Sequence, residues 1–76
     1  MTTIGRARDN QIVLDEPTVS RNHAWIKLQD KDFLIFDIGS ANGTFVNDEP
    51  VEDPRTLEHG DVIRFGDAAF ILTRVT

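Results

Sequence analysis

The fold is decided by residues 24–37, which read AWIKLQDKDFLIFD. In the first half of this stretch Ala24, Ile26 and Leu28 are apolar, and they alternate with residues that suit the opposite face of a strand. The run at 33–36 is apolar on both faces, which is typical of a central strand that is covered twice or shielded by a loop. This stretch therefore predicts two neighbouring strands of a sheet.

Short β-rich runs recur along the rest of the chain, and no segment shows helical periodicity. This pattern is typical of an all-β sandwich or barrel. Asp30-Lys31 is interpreted as a tight turn, and Asn42-Gly43 as a second hairpin because both residues tolerate positive φ. Residues 52–60, which include Pro54, are interpreted as a long connection. The sequence predicts strands at 2–5, 11–14, 23–29, 32–37, 44–46, 50–52, 61–65 and 68–75.

Length and composition exclude several classes of protein. Seventy-six residues suffice for a single domain, 1–76. The chain has no cysteine, which excludes disulfides and thiolate metal sites and favours a reducing compartment. We expect a cytoplasmic location and leave a nuclear one open.

The net charge of −5 argues against nucleic-acid and anionic-membrane binding, and the two isolated histidines predict neither a metal nor a cofactor site.

Small polar residues gather where the apolar pattern breaks. They form three clusters at 5–6, 20–23 and 40–44, and Asn47 lies just beyond the third. Binding groups concentrate on loops that a rigid scaffold holds in place. Arginines, a serine and loop asparagines without a convincing catalytic set predict a phosphate clamp rather than an enzyme.

The order Gly-Arg, Ser-x-x-His, Asn-Gly-Thr, Asn resembles the forkhead-associated (FHA) domain, a module that binds phosphothreonine peptides. Residues 10–14, 37–40 and 57–65 are also similar to that family, so the resemblance spans about residues 4–75. It implies a twisted two-sheet antiparallel β-sandwich of the FHA/SMAD type, with the binding loops at one end. Only four residues precede Gly5, so we expect a short or missing N-terminal strand. An edge exposed in this way permits a weak homodimer.

The resemblance implies that Arg6, Ser20 and Arg21 bind the phosphate. A guanidinium offers paired donors that match phosphate oxygens, and a serine hydroxyl adds one more. Each residue also has a simpler interpretation. Arg6 could pair with one of thirteen carboxylates, Ser20 could bond its own turn, and Arg21 could be merely solvated.

The resemblance also implies that Asn42 bonds the main chain of the bound peptide, beside Ser40 and Ala41. Ala41 departs from the family, which often has threonine there, because it offers only a backbone amide. We expect Ser40 to compensate in part and binding to be somewhat weaker. Support of the site is expected from Gly5, His23, Gly43, Thr44 and Asn47.

The resulting hypothesis is a non-catalytic module that recognises a phosphothreonine-containing protein or peptide. The main alternative is a phospho-independent interaction or dimerisation scaffold built on the same sandwich. A hydrolase using Ser20 and His23 is disfavoured, because the chain lacks a Gly-x-Ser-x-Gly elbow and an evident oxyanion hole.

Overall fold

A computed structural model describes residues 1–73 of the chain, and these residues form nine short strands. None of the described segments forms a helix of the length and hydrophobicity that crossing a bilayer requires. The strands are β1 (Thr2–Gly5), β2 (Ile12–Val13), β3 (Ala24–Gln29), β4 (Asp32–Asp37), β5 (Thr44–Val46), β6 (Glu49–Pro50), β7 (Arg55–Leu57), β8 (Val62–Phe65) and β9 (Ala68–Ile71).

The strands make two sheets, one in the order β2-β1-β3-β4-β7 and the other in the order β6-β5-β8-β9. Every neighbouring pair is antiparallel except β1 and β2, which run parallel. This arrangement confirms the predicted all-β sandwich and adds one parallel pair to it. The short first strand, β1, lies inside its sheet, and the sheet edges are β2, β7, β6 and β9.

The core lies between the sheets and takes residues from both of them. Ile35 on β4, an interior strand of the five-stranded sheet, is fully buried. The alternation of β3 holds only in part, because Ala24 is buried whereas Leu28 is 59% exposed. The buried apolar residues are Ile4, Val19, Ala24, Ile35, Val46, Val51, Leu57, Ile63 and Phe65.

One strand lies in the segment that the sequence predicts as a connection, so that prediction was wrong for residues 55–57. β7 pairs with β4 and places Leu57 opposite Phe33 in the core. Three residues after Pro54 are too few to display an alternation, and their pairing depends on a partner twenty residues away. The last predicted strand ends at Ile71, and its expected final residues, 74 and 75, lie outside the described part of the chain.

The predicted hairpin at Asn42-Gly43 was also wrong. β4 belongs to the five-stranded sheet and β5 to the four-stranded sheet, so the loop between them crosses from one sheet to the other. Gly43 does have a positive φ, of 88°. The asparagine hairpin forms instead at Asn47-Asp48, where φ values of 51° and 67° join β5 to β6.

A cavity of about 660 Å³ opens between the sheets near the β3–β4 turn. Apolar side chains line most of it, and the strand β9 beside it leaves Phe70 47% and Ile71 68% exposed. The apolar residues that line this cavity are Ile12, Ile26, Leu28, Phe33, Leu57 and Leu72.

Candidate functional site

Backbone pairing brings the first two polar clusters together. The amide of Arg6 donates to the carbonyl of Ser20 at 2.9 Å, and the amide of Ala7 donates to that of Arg21 at 3.1 Å. Gly5 allows this approach, because a Cβ there would overlap the carbonyl oxygen of Arg21. The glycine therefore supports the site through its small size, and it places the Arg6 side chain next to Ser20.

Asn10 holds the same two segments together, a role that the sequence did not reveal. Its Nδ2 donates to the carbonyl of Ala7 at 2.9 Å and to that of Arg21 at 2.7 Å. The loop that carries Arg6 is thus closed onto the loop that carries Ser20. In the sequence, Asn10 belongs to residues 10–14, which resemble the FHA family, but nothing in that stretch indicated a bracing role for Asn10.

Arg6 and Ser20 both keep hydrogen-bond donors free. The Nε of Arg6 donates to the carbonyl of Val19 at 3.0 Å, which fixes the side chain. Its terminal nitrogens meet no acceptor within residues 1–73 and carry no ion pair there. The Oγ of Ser20 accepts from the amide of Ala41 at 2.9 Å, so its own proton remains available for a ligand.

His23 is fully buried and bonds only to backbone groups. Its Nδ1 accepts from the amide of Ser20 at 3.0 Å, and its Nε2 lies 2.9 Å from the carbonyl of Gly43. These partners assign the proton to Nε2. Because both ring nitrogens are occupied in this way, the imidazole braces two loops and is not placed as a base for the Ser20 hydroxyl.

Asp37 organises the loop between the two sheets. Its carboxylate accepts from the amides of Gly39 at 2.9 Å and Ser40 at 3.0 Å and from the hydroxyl of Thr44 at 2.7 Å. Burial alone would raise the pKa of this group. The hydrogen bonds from the Ser40 and Thr44 hydroxyls and from the two amides outweigh that effect and lower the pKa below its usual 3.8.

Ser40 and Ala41 lie in this loop. From the sequence, we expect the Ser40 side chain to compensate in part for Ala41, which offers only a backbone amide. The Ser40 hydroxyl donates to Asp37 and accepts from the amide of Gly43 at 3.0 Å. Its single proton is therefore already engaged. The Ala41 amide is bonded to Ser20, so this position acts in the structure by orienting the serine hydroxyl.

Asn42 connects the 40–44 loop to Thr18 and does not form the predicted hairpin turn. Its Nδ2 donates to the Thr18 carbonyl at 2.8 Å, which leaves its side-chain oxygen and one N–H exposed. Thr18 in turn accepts through Oγ1 from the amide of Asp67 at 2.7 Å and donates to Glu16. Thr18 is a second bracing residue that the sequence did not identify.

The remaining support residues divide between two places. Thr44 is buried at the start of β5, and Gly43 joins the loop to His23. Asn47 lies at the other end of β5, where it donates to Asp61 at 2.9 Å and accepts from the amide of Val62 at 3.0 Å. These bonds brace a turn remote from the 40–44 loop.

Three arginines surround a cavity of about 250 Å³. Its walls are Arg6, Ala7, Arg8 and Arg21, and all three arginines are exposed. Within residues 1–73, histidine and carboxylate side chains form no group of three that could hold a metal ion. The three clusters thus form one surface, with guanidinium groups and a free hydroxyl on one side and the Asn42 amide on the other.

A model of the FHA domain matches residues 2–66 of this chain. The chain belongs to the FHA-domain family. Solved FHA structures also superimpose closely on it. One of them, from work on phosphothreonine-dependent FHA domain interactions, has a TM-score of 0.91 and is 39% identical in sequence. The match covers 99% of this chain and 77% of the chain in that structure. Mycobacterium tuberculosis EmbR in complex with a low-affinity phosphopeptide has a TM-score of 0.90 and 43% identity, covering 95% and 19%.

Among curated relatives of this FHA domain is the glycogen accumulation regulator GarA of Mycobacterium tuberculosis. It is 47% identical over 66 residues, which make up 87% of this chain and 40% of GarA. The chain thus spans well under half the length of that relative.

Proposed function

We propose that this FHA domain is a non-catalytic module that binds a phosphothreonine-containing segment of a protein partner. The observation that carries the proposal is that the Ser20 hydroxyl proton and the terminal nitrogens of Arg6 are both free, on two loops that backbone hydrogen bonds hold together. A phosphate offers three strong acceptor oxygens, and these two side chains offer donors without an internal acceptor. The phosphopeptide complex of the similar protein EmbR supports the same assignment.

The proposal gives each residue of the site a role. Arg6 and Ser20 hold the phosphate, and Arg21 adds a guanidinium from the wall of the same cavity. The exposed amide atoms of Asn42 bond the peptide main chain. Ser40 and Ala41 shape this surface through their bonds to Asp37 and Ser20.

The expected affinity is moderate. Each charge-assisted hydrogen bond contributes about 1.5–3 kcal/mol, so three of them supply about 4.5–9 kcal/mol. A micromolar complex corresponds to about −8 kcal/mol, so contacts to the flanking peptide must offset the cost of ordering the ligand.

Signalling through a Ser/Thr kinase in the cytoplasm fits a chain without cysteine, and we include that setting in the proposal. We also propose weak self-association through the edge strand β9. Its outer backbone groups have no neighbouring strand among residues 1–73, and Phe70 and Ile71 are exposed. Sedimentation equilibrium tests this second point, and a monomer at millimolar concentration would exclude it.

Fluorescence anisotropy with a labelled peptide tests the main proposal. We expect the phosphothreonine form to bind, and the unmodified and glutamate forms to bind at least about 100-fold more weakly. Arg6→Ala should abolish binding, whereas the matched arginine variant Arg55→Ala, outside the site, should not change it. Equal binding of the phosphorylated and unmodified peptides, or unchanged affinity of Arg6→Ala, would refute the phosphate clamp.

A further inference from the structure

Arg8 is the one arginine around the 250 Å³ cavity to which the phosphate clamp gives no role. It follows Arg6 by two residues, and its exposed side chain lines the cavity together with those of Arg6 and Arg21. Among residues 1–73, no other charged side chain lines this cavity. A surface formed by three guanidinium groups is arranged for more negative charge than one anionic group carries.

This concentration of positive charge contrasts with the acidic composition of the chain as a whole. The chain has thirteen acidic residues and a net charge of −5. Even so, none of the carboxylates of residues 1–73 forms an ion pair with Arg6, Arg8 or Arg21, although the exposed Asp9 adjoins Arg8 in sequence. Three cations that no carboxylate of residues 1–73 neutralises repel one another, and a polyanionic ligand would relieve that repulsion.

Charge balance separates the role of Arg8 from that of the clamp. A phosphothreonine carries about −1.5 to −2 at pH 7, which Arg6 together with Arg21 already matches. Arg8 then remains as an uncompensated charge at the rim of the occupied site. Its planar guanidinium fits a second phosphate or a carboxylate in the same paired geometry.

We propose that Arg8 is a specificity-determining residue that recognises a second anionic group on the phosphopeptide. The inference rests on the proposed function and extends it to a ligand class, peptides with another phosphorylated or acidic residue near the phosphothreonine. Because Arg6 and Arg8 line one cavity of about 250 Å³, we expect the second group to lie close to the phosphothreonine along the peptide. Two positions on either side correspond to about 6.6 Å of extended chain.

The test compares three kinds of peptide, all built on one sequence, by fluorescence anisotropy at fixed ionic strength. The first has a phosphothreonine with neutral neighbours. The second and third add a glutamate or a second phosphorylated residue, in turn at each of the two positions before and after it. Wild type should prefer an added anion at one of these positions by roughly five- to twentyfold. The glutamate and phosphate arms show which anion the surface takes.

Variants of Arg8 then assign the preference. Arg8→Gln should remove the preference and keep the affinity for the neutral-flanked peptide within about twofold, and Arg8→Lys should retain part of it. The matched control Arg55→Gln should retain all of it. A preference that survives Arg8→Gln, an equal loss for all peptides, or no preference in wild type overturns the inference alone. Failure of wild type to bind any of the phosphopeptides overturns the proposed function together with the inference.

Discussion

The two ends of the sandwich are held together by different means. At the loop end, where β1 and β4 finish, side chains bond backbone groups of neighbouring loops, as His23 and Asn42 do. At the turn end, near the β3–β4 turn, apolar side chains surround a cavity of about 660 Å³, and Leu28 and Ile71 are exposed. Side-chain hydrogen bonds between loops are therefore concentrated where the proposed binding residues lie, and they hold those loops in place without a ligand.

The largest effect is expected from a methyl group added at the loop end. Gly5→Ala places a Cβ onto the Arg21 carbonyl, a backbone atom that cannot move without separating the loops. We expect a loss of about 4 kcal/mol in the free energy of unfolding, or failure to fold. Gly60→Ala at the turn end places its Cβ in open space, and only the φ of 90° disfavours a side chain there. We expect it to lower the free energy of unfolding by about 1–2 kcal/mol. Urea denaturation measures both, and equal midpoints would erase the contrast.

Removing the buried brace ranks next. His23→Leu leaves the Ser20 amide and the Gly43 carbonyl unpaired in the interior, which should cost about 2–4 kcal/mol. Asn47→Ala removes two hydrogen bonds from an exposed turn at the other end and should cost about 1 kcal/mol. Phosphopeptide affinity should fall for the first variant only. A His23→Leu protein that binds normally would show that the loops do not depend on this brace.

Acid should weaken the loop end through Asp37. Its pKa is lowered in the folded protein, so its stabilising effect is present above the usual 3.8 and is lost as the pH falls through the folded value. Asp61 at the turn end also has a lowered pKa, chiefly because it accepts from the Glu58 amide and from Asn47. Urea midpoints between pH 7 and about pH 2.5 should show the Asp37→Asn variant converging with wild type as the pH falls. A constant gap would contradict this linkage.

The smallest effect is expected at the surface of the turn end. Ile71→Thr keeps the β-branch and changes a side chain that is 68% exposed, so stability should change by less than about 0.5 kcal/mol. Affinity for the phosphopeptide should be the same as that of wild type by anisotropy. A large loss of affinity would mean that the two ends are coupled more tightly than their separate contacts indicate.

The parts of the fold that the sequence predicted are those with local signals. β3 and β4 follow from alternation and from a continuous apolar run, and the short turn between them is polar. β7 and the crossing at Asn42-Gly43 could not be predicted in this way. In both cases the deciding fact is which distant strand accepts the backbone hydrogen bonds, and the local sequence does not contain it.

The site shows the same division. Arg6, Ser20 and His23 were predicted through resemblance to a family, since no spacing argument places residues 6 and 20 together. Asn10 and Thr18 were missed because their roles consist of contacts with other loops. Asp37 did carry a local signal. An aspartate followed by Gly39-Ser40 is the pattern of a side chain that caps its own turn.

The crossing of the chain from β4 to β5 has a thermodynamic consequence. Ser20 lies in the loop that enters β3 of one sheet, and Asn42 lies in the loop that enters β5 of the other. A peptide held by both residues would tie the sheets to each other from outside. The free energy of unfolding should then increase by about 2.7 kcal/mol at a ligand concentration of a hundred times the dissociation constant, and the melting temperature should rise with ligand concentration. Occupancy of the domain would thus also set the stability of its fold.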